Sequence, residues 1–405
     1  MFTFVAGCDW VQPFQIARLP KIVFGEGTFA QLPEIAAAYG QRVLLVTGQS
    51  SFLRSPQWQT LQAVWQRSGV TWERVSIPGE PSPQWIDAAV TAHKNQGISL
   101  VIGIGGGSVL DAAKAIAGLL PHGNSVLDHL EGVGRGVPYQ PPATPFIAVP
   151  TTAGTGSEAT KNAVLSQHGA NGFKKSFRHE ALVPQVALVD SQWLASCPPA
   201  LIAANGMDAF TQLLESYVST RANPFTDALA LAGICAFAEA FWAVWEDPAA
   251  ASVARPKLAY AALLSGINLA QTGLGSVHGL ASPLGAFYPI PHGAVCGTLV
   301  AEATDINIAA LRARLPNSPA LDKYAHIGRL LSQQPTLERD AAWAALVSTL
   351  RDWTVRLQLP PLSHYGVTAA SFAAIVQNSQ GNSMKTNPLP LTDAELHSIL
   401  QRRFN

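Results

Sequence analysis

The run Arg42-Val-Leu-Leu-Val-Thr47, closed by Gly48, constrains the fold more than any other stretch of the 405-residue chain. A strand with one wet face alternates apolar and polar side chains. A run that is apolar at every position needs cover on both faces, the condition of a parallel sheet held between helices. A short strand is expected at residues 21–25, and similar runs recur at 71–77, 99–104, 145–149 and 186–189, with helix-like segments at 28–39, 84–95 and 108–119 between several of them. This alternation predicts a doubly wound α/β domain.

After Asp190 the strands run out. Ala- and Leu-rich segments with helical spacing follow at 205–219, 226–245, 256–271, 321–331, 339–357 and 369–377. The boundary falls near Ser191 to Pro199, where Cys197-Pro198-Pro199 punctuates the chain, giving an α/β dinucleotide-binding domain at 1–195 and an all-helical domain at 196–405. With no repeats and no low-complexity linker, the halves are expected to pack around a ligand cleft.

Composition narrows the partners. Lys+Arg 26 against Asp+Glu 26, with 13% charged and 48% hydrophobic residues, argues against nucleic acid or an anionic membrane. The apolar segment 228–245 carries Glu239 and reads as a core helix, so no membrane span is expected. Cys8, Cys197, Cys235 and Cys296 show no Cys-x-x-Cys spacing, which fits a reduced, cytoplasmic protein. The N-terminus lacks a basic start and carries Asp9, so no secretory signal is expected.

Chemistry concentrates at four places. Between Gly273 and Leu299, His278 and His292 sit in an apolar, glycine-rich frame, either as metal ligands or as satisfied core residues. Upstream, Asp208 and Gln212 are four apart on a predicted helix and share a face, although an Asp there also suits a helix N-terminus. One carboxylate and two imidazoles with open positions would hold Fe(II) or Zn(II) as a Lewis acid. After the strand ending at Ile104 comes Gly105-Gly106-Gly107-Ser108, with Asp111 and Lys114 in the helix that follows. With Gly103 this reads Gly-x-Gly-x-x-Ser, a phosphate-cradling turn one glycine short of the dinucleotide fingerprint, or a strand-to-helix turn that needs glycine only for geometry. A second post-strand loop, Pro150-Thr151-Thr152-Ala-Gly-Thr-Gly-Ser-Glu158, offers hydroxyls to ribose or phosphate, though such a cluster alone is equally a turn.

Taken together, Lys21 to Gly27, Gly105 to Lys114, Pro150 to Glu158, Asn205 to Glu215, Gly273 to Gly293 and Asn387 to Thr392 resemble the iron-containing (group III) alcohol dehydrogenase family along nearly the whole chain. The resemblance implies a Rossmann-like N-terminal domain, an all-α C-terminal domain and a divalent metal in the cleft. It also implies reversible alcohol–aldehyde or alcohol–ketone oxidoreduction with NAD(P), and a homodimer or larger homo-oligomer. The carried-over ligands are Asp208, Gln212, His278 and His292; iron-binding members place His where this chain has Gln212. Ser282 stands where many members carry a proton-relaying His, which leaves proton exchange to water and the cofactor ribose. NAD-preferring relatives have an Asp after the second strand; here Gly48-Gln49-Ser50-Ser51, with Arg54 behind, is neutral, which predicts NADP(H) over NAD(H). Phe287 and Tyr288 line the substrate pocket or the core. A dehydroquinate synthase-like lyase and a nucleotide-binding homologue without catalysis are the competing readings.

Overall fold

The computed structural model describes residues 13–169 and 172–405; the expectations placed on the N-terminal residues, Cys8 and Asp9 included, lie outside them. Eight strands form among the described residues: β1 (Lys21–Phe24), β2 (Arg42–Gly48), β3 (Thr71–Ile77), β4 (Leu100–Gly105), β5 (Phe146–Pro150), β6 (Asn162–Gln167), β7 (Phe173–Arg178) and β8 (Val186–Val189). Six build one parallel sheet in the order β1-β8-β5-β4-β2-β3. The continuous apolar run of β2 behaves as its composition demands. Leu44 and Val46 enter the apolar cluster on one face, with Val101 and Ile116, while Val43 and Leu45 enter the cluster on the other, with Trp65 and Ile102.

Helices α1 (Leu32–Ala37), α2 (Pro56–Ser68), α3 (Pro83–His93) and α4 (Gly107–Leu119) supply that cover. The helix expected over 28–39 is shorter than its apolar spacing predicts. Pro33 has no N–H and suits only a first turn, so the α-helix opens at Leu32 behind a 3₁₀ turn at Thr28–Gln31. Strands β6 and β7 have no counterpart among the apolar runs of the sequence. They form an antiparallel hairpin, Asn162 opposite Arg178 through Gln167 opposite Phe173, whose residues are only half-buried on average and carry no continuous apolar run.

The second half is helical: α5 (Pro199–Val218), α6 (Pro224–Glu246), α7 (Ala254–Thr272), α8 (Ser276–Phe287), α9 (His292–Arg314), α10 (Pro319–Ser332), α11 (Arg339–Arg356), α12 (Phe372–Asn378) and α13 (Asp393–Arg402). Pro199 opens α5 as its first residue rather than separating it from the preceding chain, because a first-turn proline gives up an N–H that had no helical partner. By length and composition α6 and α9 could each cross a membrane; α9 is 89% buried within the protein and α6 39%, through a stripe of Ala230, Ile234, Phe237, Phe241 and Val244. The helical core also takes in Ala153, Ala159, Val189 and Leu194 from the sheet side, so the two halves share one apolar interior.

Candidate metal centre and cofactor cleft

Asp208, Gln212 and Glu215 are spaced four and three residues apart on α5 and lie along one buried face. Across from them, α8 begins at Ser276 without a side-chain cap of its own. Its first free N–H groups are satisfied from elsewhere: Ser276 N–H donates to Asn387 Oδ1 at 3.0 Å and Val277 N–H to Glu215 Oε1 at 2.7 Å. This anchors the turn that carries His278. Its Nδ1–H donates to Glu215 Oε2 at 2.7 Å, which leaves Nε2 pointing at Asp208 Oδ1, 3.2 Å away. His292 is the first residue of α9, and its Nε2 lies 3.9 Å from the same Asp208 oxygen. A Cβ on Gly293 would stand 2.1 Å from the Ala204 carbonyl oxygen, so only glycine lets α9 start this close to α5.

The charges interlock. Burial works against ionisation of Asp208, yet His292, His278 and the Gln212 amide hold its carboxyl down at about 2. Burial also disfavours a charged His278, but Cys296, Asp208 and Glu215 together raise its pKa well above the ordinary imidazole value. His292 is lowered to about 4, by burial first and then by the cations Lys174 and His278. Neighbouring Lys174, on β7, pairs with Glu80 at 2.6 Å, and Glu80 also accepts from Ser166 Oγ at 2.6 Å.

Gln212 faces the cluster with its amide nitrogen, which donates to Asp208 Oδ1 at 3.0 Å; its oxygen accepts from Ser265 Oγ at 3.1 Å. Ser282 spends its hydroxyl on the Lys174 carbonyl at 3.0 Å. Phe287 and Tyr288 are half-buried against the helical core. Cys296, one turn after His292, is fully buried, with Sγ 3.6 Å from His278 Nε2 and 3.9 Å from His292 Nε2. The ligand atoms of Asp208, His278, His292 and Cys296 all lie within 4.8 Å of one another.

Gly48, Gly105 and Pro150 end the adjacent strands β2, β4 and β5, so all three expected cofactor loops leave the same edge of the sheet. The chain turns one way from β2 to β3 and the other way from β4 to β5, which makes this edge a topological switch point, where open α/β sheets bind ligands. Gln49, Ser50, Ser51 and Arg54 are exposed, and Arg74 reaches across from β3 to bond Thr47 Oγ1 at 3.2 Å. Gly106 and Gly107 lead into α4, whose first turn has no capping side chain and no acidic residue. Added Cβ atoms would meet Val109 at 2.6 Å from Gly105, Thr152 at 3.3 Å from Gly106 and Thr155 at 2.7 Å from Gly107. The glycines therefore answer to packing as well as to any phosphate, and Ser108 follows them in the first turn. Asp111 accepts from Ser157 Oγ at 2.6 Å, and loss of water around it raises its pKa. Buried Lys114 donates to Ser157 O, Ser157 Oγ, Thr160 Oγ1 and Asn162 O at 2.7–3.1 Å, tying down the loop that contains Thr151 and Thr152. That loop touches α5 itself: a Cβ on Gly154 would come 2.8 Å from Asn205 Cβ, one turn before Asp208.

Residues 20–191 match the family profile "Iron-containing alcohol dehydrogenase", and residues 202–404 match "Fe-containing alcohol dehydrogenase family, C-terminal". The chain belongs to the iron-containing alcohol dehydrogenase family. It is accordingly an oxidoreductase that exchanges hydride between NAD(P)(H) and an alcohol, aldehyde or ketone with a divalent metal. It is 33% identical to alcohol dehydrogenase 4 of Saccharomyces cerevisiae over 330 residues, 80% of this chain and 81% of that one. It is 27% identical to the NADPH-dependent butanol dehydrogenase of Clostridium saccharobutylicum over 391 residues, 95% of this chain and 96% of that one. The crystal structure of a 1,3-propanediol oxidoreductase superposes with a TM-score of 0.87 at 25% identity, covering 97% of this chain and 100% of that one.

The family's metal fits the donors present. Around a tetrahedral ion with bonds of about 2.0 Å, neighbouring nitrogen and oxygen ligands stand about 3.3 Å apart. The Asp208–His278 separation of 3.2 Å already matches, and the Asp208–His292 separation of 3.9 Å needs only a small closure. Glu215 behind His278 is placed as the carboxylate of a carboxylate–histidine–metal arrangement would be. Glu215 and Cys296 are the residues that motif reading passed over; they sit at i+7 from Asp208 and i+4 from His292 on the same helices, which was the available signal. Glu80, Lys174 and Arg74 had no such signal, since strand pairing and tertiary packing bring them in.

Proposed function

We propose that the protein is an aldehyde reductase and alcohol dehydrogenase that prefers NADP(H) over NAD(H). In this reading residues 1–195 carry the cofactor and residues 196–405 the metal and substrate. The observation that carries the reading is the contact of the Gly154 loop with Asn205, which sets a cofactor loop one helical turn from the convergent Asp208, His278 and His292.

Asp208, His278 and His292 would hold the metal, with Gln212 bonded to Asp208 beside them. When bound, Fe(II) or Zn(II) supplies a Lewis acid that stabilises negative charge on the substrate oxygen. Glu215 fixes the His278 ring so that Nε2 faces inward. Gly105, Gly106, Gly107 and Ser108 would hold the cofactor pyrophosphate, where the start of α4 offers N–H groups and a positive dipole end. Thr151 and Thr152 would border the nicotinamide, on a loop braced by Asp111 and Lys114 through Ser157. Ser282, occupied with the Lys174 carbonyl, holds the β7 hairpin against α8 and leaves proton exchange to solvent and the cofactor ribose.

Support for NADP(H) comes from the Gly48, Ser50 and Ser51 loop, which has no carboxylate to repel a 2′-phosphate and has the cations of Arg54 and Arg74 nearby. An edge strand β1 with exposed Ile22 and Phe24 supports assembly as a homodimer or larger homo-oligomer. Unpaired Cys197, Cys235 and Cys296 suit a cytoplasmic setting.

The test is aldehyde-dependent NADPH oxidation by chelator-stripped protein, with and without added Fe(II) or Zn(II), on a panel of short- and medium-chain aldehydes. Turnover restored by metal and faster with NADPH than NADH is expected. Equal catalytic efficiency with NADH would overturn the cofactor preference, and silence with every metal would overturn the site.

A further inference from the structure

We propose that Cys296 Sγ, rather than the Gln212 amide, completes the metal-binding set, giving an Asp-His-His-Cys centre that favours Zn(II) over Fe(II). This rests on the reading that Asp208, His278 and His292 hold a metal. Three observations carry it.

The first is position. A thiolate at about 2.3 Å and an imidazole at about 2.05 Å from one tetrahedral ion stand about 3.6 Å apart. Sγ lies 3.6 Å from His278 Nε2 and 3.9 Å from His292 Nε2, and it falls in one 4.8 Å cluster with Asp208. Because Cys296 follows His292 by one turn of α9, the backbone delivers both side chains to the same point.

The second is that Gln212 is already committed. Its nitrogen holds Asp208 and its oxygen accepts from Ser265 Oγ, which also contacts the carbonyls of Gly154 and Ala262. Turning the amide to offer its oxygen would aim that oxygen at the Asp208 carboxylate and give up a bond that anchors Asp208. In this arrangement Gln212 is a positioning residue for Asp208.

The third is chemistry and access. A thiolate is a charged, soft donor that suits Zn(II), whereas an amide oxygen is neutral and weak. Cys296 has no exposed surface, while the His292 side chain is 27% exposed, so the protein ligands crowd the inner side and the cleft side stays open. Four protein ligands would fill a tetrahedral set, so a substrate oxygen would have to approach such an ion from that open side.

The experiment uses the full-length protein stripped with chelator and reloaded with Co(II), with metal content measured separately. An intense near-ultraviolet thiolate-to-cobalt band is expected in wild type and in Gln212→Leu, and its loss in Cys296→Ser. Chelator competition should show Zn(II) affinity, and the Zn(II)-over-Fe(II) ratio, falling at least about tenfold in Cys296→Ser, the scale on which losses around a metal site are felt. Stoichiometric Co(II) without the band in wild type would overturn the assignment while leaving the three-ligand site standing. Failure of wild type to bind any metal would overturn both. Because the spectrum is read on wild type, a Cys296→Ser chain that folds poorly does not remove the test.

Discussion

Glu215→Ala tests how the centre is held without touching a ligand atom. The carboxylate accepts His278 Nδ1–H through one oxygen and Val277 N–H through the other, both at 2.7 Å, in a place where its side chain is only 9% exposed. Removing it strands two buried donors, and each costs about 1–3 kcal/mol if no water replaces the acceptor. The metal-stripped variant should therefore lose roughly 2–6 kcal/mol of stability in urea. Loss of the acceptor also frees the imidazole to rotate and to exchange tautomers, so Zn(II) affinity should fall by about 10–100-fold. Glu215→Gln keeps one accepting oxygen but turns an amide N–H toward the other donor, and should fall between wild type and alanine in both measurements. Zn(II) competition against a chelator and urea unfolding of metal-free protein read the two effects separately. An alanine variant with unchanged Zn(II) affinity would refute the claim that Glu215 orients His278.

Lys114→Met keeps side-chain volume but removes every bond that Nζ makes to Ser157, Thr160 and Asn162. It should raise the KM for NADPH and cost at least about 1–3 kcal/mol in urea unfolding, the cost of a buried polar group left without its partner, and an unchanged KM would mean that the bracing is only structural. Burial pushes the Glu158 carboxyl from 4.5 up to about 7. Between those values the folded chain holds a proton that the unfolded chain has released, so stability falls as pH rises through the window and levels off above it. Glu158→Gln should remove this slope and, by pH 8, exceed wild type by as much as about 3 kcal/mol. Parallel wild-type and variant urea midpoints at pH 5 and pH 8 would contradict that.

What was legible in the sequence followed from periodicity that survives without tertiary information. Buried strands such as β2, β4 and β8 announce themselves because both faces must be apolar, and Asp208 with Gln212 because helical spacing alone sets their shared face. The stretch from Gly273 to Leu299 was legible in its residues but not in its shape. Its glycines and Pro283 argue locally against helix, yet it forms all of α8 and the start of α9, since Asn387 and Glu215 satisfy the first N–H groups and the surrounding helices bury the rest. The hairpin β6–β7 was hidden for the opposite reason: its strands lie half in water, so no apolar run marks them, and Lys174 reaches the His292 neighbourhood only through that hairpin.

The same contacts explain why the centre lies where it does. Hydride transfer requires cofactor and substrate held at fixed distance, and besides the Lys114 bracing the elements that would hold them meet backbone against backbone. Gly156 packs so tightly on α7 that a Cβ would come within 2.3 Å of Gly266 Cα, Gly154 abuts Asn205, and Gly293 abuts Ala204. Each contact joins an element carrying proposed cofactor or metal residues to another such element or to the helix beside it. Protein interiors at this density transmit a displaced methyl group as a backbone shift instead of absorbing it. The glycines that look like loop punctuation in the sequence therefore set the spacing between the two halves of the proposed site, although none of them has a side chain to offer metal or substrate.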